Sequence, residues 1–154
     1  NSSLKSRYRL MWMDAVYEPG EVKVVAYNKD GKAVAEKTVR TAGKPHHIEL
    51  VSNRNELTAD GKDLAYVTVK VVDKDGNLCP TDSRLIHFSV KGAGKFRAVA
   101  NGDPTNLEQF HLPKMYAFHG MLTAIVQAGE IAGDLVLTAK ASGVKTGTVH
   151  LQAK

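Results

Sequence analysis

Cysteine, tryptophan and aromatic residues generally are what this chain has least of: one Cys, one Trp and 6% aromatics in 154 residues. A lone Cys79 cannot close an internal disulfide, so the fold has no covalent staple and cysteine usage leaves the redox compartment open. No stretch approaches the roughly 18 consecutive apolar residues of a membrane span. Residues 1–20 lack a positive segment followed by an apolar core and a small-residue cleavage site, so an exported form would take its signal from elsewhere on a longer chain. Five prolines against thirteen glycines exclude a collagen-like or low-complexity chain. The length also falls well short of the about 250 residues of a (β/α)8 barrel.

Charge is not concentrated either. The net +5 (21 basic against 16 acidic residues) is strewn from Lys5 to Lys154 with acids between, whereas a nucleic-acid binder gathers its basic residues on one face. No nucleic-acid partner is therefore expected. The nearest cluster, Lys5, Arg7 and Arg9, alternates with Ser6 and Tyr8 and reads as a solvated strand edge.

What is present is alternation. Apolar and polar residues exchange places along nearly the whole chain, the mark of half-buried strands, and no helical period competes with it. After a strand over Arg7–Met13, Val22, Val24 and Ala26 alternate with Glu21, Lys23 and Val25 up to the turn Asn28-Lys29-Asp30-Gly31. The return strand over Lys32–Arg40 completes a hairpin. Thr41-Ala42-Gly43-Lys44-Pro45 then interrupts the pattern and marks the boundary between residues 1–43 and 44–154.

The second portion predicts strands at His46–Val51, Leu64–Val72, Arg84–Lys91, Lys95–Asn101, Phe118–Gln127, Asp134–Ala141 and Lys145–Gln152. Ala65, Val67, Val69 and Val71 share one face of the second of these, and Ile86, Phe88 and Val90 point inward from the third. Such a series with frequent turn signals predicts an all-β, antiparallel immunoglobulin-like sandwich. Residues 1–43 supply only an incomplete three-stranded half-module, too few strands for a closed sandwich, which leads us to expect a piece of a larger protein.

Specific stretches carry a resemblance. Tyr8-Arg9-Leu10-Met11-Trp12-Met13, the run Tyr17 to Tyr27 and Val39-Arg40-Thr41-Ala42-Gly43 resemble the C-terminal immunoglobulin-like module of bacterial glycoside hydrolase family 2 β-galactosidases. Leu57 to Gly61 and Val69 to Asn77 resemble both the next module of those enzymes and invasin-type repeats. Asn101-Gly102-Asp103-Pro104-Thr105, Phe110 and Ala117-Phe118-His119-Gly120 resemble the glycosidase module rather than an adhesin repeat. The resemblance implies a non-catalytic accessory region lying after the catalytic barrel, with the barrel and other modules of the parent as partners. It also implies a parent in the periplasm or on the surface of a Gram-negative bacterium. A homo-oligomer, held through the unfinished sheet edge, is a further expectation, and galactosides are a candidate ligand.

A retaining glycosidase places two carboxyl groups about 5–5.5 Å apart, and in the family that pair belongs to the barrel. Here Glu18, Glu21, Glu36, Glu49, Glu56, Glu108 and Glu130 are scattered among turns and polar strand faces, so no catalytic residue is assigned. His46 and His47, as strand neighbours, are expected on opposite faces. His87, His111, His119 and His150 are isolated from one another and from any metal-binding spacing. No metal or cofactor is assigned. Asp73-Lys74-Asp75-Gly76-Asn77 lacks the twelve-residue register of a calcium loop and reads as a turn.

The loop from Asn101 to Tyr116 exceeds the roughly 2–5 residues that join most hairpins. Asn101 and Asp103 can bond nearby backbone, Gly102 can take a positive φ, and Pro104 fixes its own, which predicts one held shape anchored by Phe110 and Leu112. We take Asn101, Gly102, Asp103, Pro104, Phe110, Phe118 and His119 as a candidate binding or docking loop. Trp12, Tyr66 and Tyr116 are candidates for stacking on a sugar ring. A carbohydrate-binding module and an adhesin-type spacer are the alternatives to the accessory reading, the first demanding exposed coplanar aromatics, the second repeated modules.

Overall fold

The computed structural model describes residues 13–154. It is all strand and turn: eleven strands and no helix among the described residues. The strand expected over Arg7–Met13 and the basic cluster Lys5, Arg7 and Arg9 that overlaps it lie outside the described residues, apart from Met13, which sits in a turn. The chain divides into two compact units that meet in sequence at Thr41 and Ala42.

The first unit holds the hairpin of β1 (Glu21–Tyr27) and β2 (Ala33–Arg40), antiparallel in register Val22↔Val39, Val24↔Lys37 and Ala26↔Ala35. Alternation then divides the sheet into two unlike faces. One carries Val22, Val24, Ala26, Ala35 and Val39, all exposed. The other carries the ion pairs Lys23–Glu36 at 2.8 Å and Arg40–Glu21 at 2.7 Å. Asn28 builds the turn, its Oδ1 accepting the amides of Asp30 and Lys32 at 3.0 and 2.9 Å. At the other end Thr41 Oγ1 accepts the Gly20 amide at 3.0 Å and lies 3.2 Å from the Tyr17 hydroxyl.

The second unit is a sandwich. One sheet runs β4 (Glu56–Leu57), β11 (Gly147–Ala153), β10 (Gly133–Lys140), β6 (Leu85–Gly92), β8 (Lys114–Tyr116). The other runs β3 (His47–Ser52), β5 (Leu64–Val72), β9 (Met121–Ala128), β7 (Gly94–Ala100). Neighbours are antiparallel except β4 with β11, which are parallel. The expected strands are present with their ends shifted by a few residues, and β5 coincides with its predicted span. Two short strands, β4 and β8, were not anticipated.

The core lies between the sheets. Ile48, Val67, Val69, Val71, Val99, Leu122, Ala124 and Val126 of the four-stranded sheet meet Ile86, Phe88, Met115, Leu135, Leu137 and Leu151 of the five-stranded one. Phe88 of β6 stacks on Phe96 of β7 with ring centroids 5.8 Å apart. Along β5, β9 and β10 alternate side chains are buried, which fills the space between two sheets about 10 Å apart and keeps Thr68, Lys70 and Tyr66 on the outer face of β5.

Asp73 is the one buried polar side chain among the described residues. Its Oδ1 accepts the amides of Asp75 and Asn77, both at 2.9 Å, and its Oδ2 accepts the Gly43 amide at 2.7 Å and Asn77 Nδ2 at 3.0 Å. The segment Asp73–Asn77 is therefore a turn whose carboxylate is consumed by its own neighbours, with Gly76 at φ 83°.

Candidate functional site

The longest connection in the sandwich runs from β7 to β8, from the edge of one sheet to the edge of the other. Its shape comes from three successive side-chain turns, each an oxygen accepting the amide two residues on. Asn101 Oδ1 accepts Asp103 N at 3.0 Å, Asp103 Oδ1 accepts Thr105 N at 2.8 Å, and Asn106 Oδ1 accepts Glu108 N at 2.8 Å. Asp103 Oδ1 also accepts the Thr105 hydroxyl at 2.7 Å. The loop is tied to β8 by Asn101 Nδ2 donating to Tyr116 O at 2.9 Å and by Glu108 Oε2 accepting Tyr116 N at 3.2 Å. Val99 N of β7 donates to Phe110 O at 2.8 Å.

The loop's turns form by the means the sequence predicts, Asn101 and Asp103 acting on backbone and Gly102 at positive φ, but without the expected apolar anchor. Phe110 and Leu112 were expected to anchor it through packing; instead Phe110 is 55% exposed, and Leu112 is exposed as well. Polar side chains acting on backbone do the holding, and they leave the apolar side chains facing outward. Leu107, which sequence reasoning passed over, is 96% exposed, and Tyr116 is 53% exposed. An apolar residue in a loop gives no sequence signal of which way it points, so only the alternating positions of strands could be assigned inward.

Pro104 sits in the turn that the Asp103 side chain closes, and Gly102 has φ 78°, a region closed to most side-chain-bearing residues. Thr105's amide and hydroxyl hold the Asp103 carboxyl below the ordinary aspartate value, and the nearby His119 adds to the effect. Phe118 and His119 lie in the connection that leads into β9, their rings edge to face with centroids 4.2 Å apart. His119 is the one described non-glycine residue with positive φ, at 51°, and its Nδ1 lies 3.2 Å from Pro80 O. Gly120 follows at φ 73°; a Cβ there would stand 2.3 Å from Cys79 O. Asn101, Asp103, Phe110, Tyr116 and His119 therefore belong to one end of the sandwich.

The two described stacking candidates do not share a surface. Tyr66 lies on the outer face of β5 and Tyr116 on β8, in different sheets, and Trp12 is outside the described residues. The histidine pair departs from expectation: His46 and His47 are not turned to opposite faces, since their Nδ1 atoms are 3.0 Å apart. His46 precedes β3, so strand alternation does not govern its side chain. Among the described residues no group of three or more His, Cys, Asp or Glu is arranged to hold a metal ion.

The aspartates share an electrostatic character. The Thr58 amide leads in lowering Asp63, with Arg54 adding to it, and the Lys62 and Asp63 amides lower Asp60. The Gly43 amide leads in holding Asp73 far below the usual carboxylate range. Burial pushes the Asp82 carboxyl up, but Arg84 outweighs it with Nε at 2.8 Å and Nη2 at 2.6 Å. Arg84 in turn donates to Ser142 O at 2.6 Å, which ties the segment before β6 to the turn after β10.

A family model described as glycoside hydrolase family 2 C-terminal domain 5 matches residues 48–150. The chain belongs to this family. The match falls within the sandwich, so the β7–β8 loop is part of the family 2 C-terminal domain; a second model, for a domain of unknown function, matches residues 2–35. β-Galactosidase BoGH2A of Bacteroides ovatus is 44% identical over 138 residues, 90% of this chain and 16% of that protein. A β-galactosidase of Thermoanaerobacter pseudethanolicus is 34% identical over 111 residues, 72% of this chain and 13% of that one. Among solved structures, a glycosyl hydrolase family 2 member from Bacteroides cellulosilyticus matches with TM-score 0.84 and 31% identity, covering 91% of this chain and 18% of its own. A β-glycosidase from Bacteroides vulgatus matches with TM-score 0.85 and 27% identity, covering 89% and 18%. The family 2 C-terminal chain thus spans less than a fifth of the length of these relatives.

Proposed function

We propose that this chain is a non-catalytic accessory region of a family 2 β-galactosidase, with a structural role in docking modules within its parent or holding copies of the parent together. The observation that supports this reading is the state of the aspartates. A glycosidase's proton donor must hold its proton near neutral pH, which requires a carboxyl pushed upward. Asp60, Asp63, Asp73, Asp82 and Asp103 are all pushed downward, and each has one or both carboxylate oxygens held by amides, a hydroxyl or a guanidinium of this same chain. They are fixed acceptors that shape loops rather than groups poised to exchange protons. The similarity to two β-galactosidases supports a β-galactoside as the parent's substrate.

The test is the pH dependence of kcat/KM of the full-length protein on a nitrophenyl β-galactoside, with Asp60→Asn, Asp63→Asn and Asp82→Asn introduced one at a time. Both limbs of the profile should keep their positions, while thermal stability falls. A variant that stays folded and loses one limb would place a catalytic carboxylate in this chain and overturn the reading.

A further inference from the structure

The β7–β8 loop sets apolar side chains outside the domain at fixed positions. Leu107, Phe110, Leu112 and Tyr116 fall within ten residues and are all exposed, whereas the domain's other large exposed apolar residues are a diagonal cross-strand pair on the outer face of β3 and β5, Val51 and Tyr66, and the lone Ile131. Single exposed apolar residues are ordinary on a protein surface; a cluster marks a surface that something covers. The three side-chain turns and the ties to β7 and β8 preorganise the cluster, so covering it costs little ordering of the loop. Charges of both signs flank it: Lys114 follows the loop and Arg97 lies two residues before Val99, to which Phe110 is tied, while Asp103 and Glu108 accept from Thr105 and from Tyr116 N, neutral donors that leave their charge in place.

We propose that Leu107, Phe110 and Tyr116 are the face by which this domain seats on another module of its own polypeptide, in a recess apolar at its centre and lined at its rim by charges of both signs. This rests on the accessory reading above and adds to it the surface and the chemistry of the partner. The same-chain partner is favoured because relatives carry more than four-fifths of their length outside the region matched here. A tethered module meets this face at an effective concentration of the order of millimolar, at which a small apolar patch suffices.

The loop provides its own readout. The amides of Leu107, Gln109, Phe110 and His111 have no acceptor within the domain, so they exchange rapidly with solvent unless a partner covers them. In hydrogen-exchange mass spectrometry of the full-length protein, the peptide spanning 107–111 should be protected by at least about tenfold over its intrinsic rate. Leu107→Asp should abolish that protection while exchange in β5 and β9 stays unchanged. Added salt should weaken it in the wild type, since the rim is ionic. Intrinsic-rate exchange in the wild type overturns the proposal. So does protection that vanishes on dilution, which would assign the face to a second copy, or protection that appears only with added galacto-oligosaccharide, which would make it a sugar site. The accessory reading stands or falls separately, on the pH profiles of the aspartate variants.

Discussion

The amide of Gly43 donates to the carboxylate of Asp73 at 2.7 Å across thirty residues of sequence, joining the start of the sandwich to the turn that follows β5. A buried carboxylate with this many donors is stable only as an anion, and each donor would be stranded if it were lost. Asp73→Asn keeps the size of the side chain but puts an amino group against donors. It should lower the melting temperature of the domain by several degrees, and Asp73→Ala should lower it further. A melting temperature unchanged in both variants would show that the turn holds without the carboxylate.

Acid should destabilise the domain in a defined range. Asp60, Asp63, Asp73, Asp82 and Asp103 all lie below the ordinary 3.8 in the fold. Their stabilising contribution is complete above that value, where folded and unfolded chains are both ionised, and it is lost as pH falls through the lower folded values. Urea midpoints should hold between about pH 7 and pH 5 and decline below about pH 4. A midpoint that rises on going from about pH 4 to pH 3 contradicts the assignment.

Leucines separate core from loop. Leu137 is fully buried between the sheets, and Leu137→Ala should cost about 2–5 kcal/mol. Leu107→Ala should change stability by less than about 0.5 kcal/mol, because the side chain touches almost nothing in its own domain. Chemical denaturation of the two variants checks the contrast.

Gly120 cannot be replaced cheaply. Its φ of 73° disfavours any side chain, and the added Cβ would meet Cys79 O at 2.3 Å, a backbone atom that cannot step aside. Gly120→Ala should destabilise by about 2 kcal/mol or more. At His119, φ 51°, Asn tolerates the conformation and Val does not, so His119→Val should be the more damaging of the two substitutions.

The strands were legible because a sandwich imposes period two on both sheets. Ala65, Val67, Val69 and Val71 announce β5 to the residue, since four alternating apolar positions leave one face to bury. β4 and β8 were not legible: two or three residues cannot display a period, and Lys114–Tyr116 is a strand because β6 offers it an edge. In the candidate loop the turn chemistry of Asn101, Gly102 and Asp103 could be read locally. The outward direction of Leu107 and Phe110 could not, because it is decided by where the tied ends of the loop lie. His46 escaped strand alternation for a similar reason, standing just outside β3.

Cys79 is buried, and burial pushes its thiol up from the ordinary value, so it is a packing residue rather than a nucleophile. In native protein it should react with an aromatic disulfide reagent at least on the order of a hundredfold more slowly than a free thiol. Labelling should accelerate in step with unfolding in urea. Rapid labelling without unfolding would mean that the segment around Cys79 opens independently of the sandwich.

The central proposal, that this family 2 C-terminal region carries no catalytic machinery, is tested most directly by assaying a nitrophenyl β-galactoside with the 154-residue chain and with the full-length protein at equal molar concentration. The account predicts turnover by the full-length protein and none by this chain. Turnover by this chain alone, scaling with its concentration and lost on heat denaturation, would contradict it.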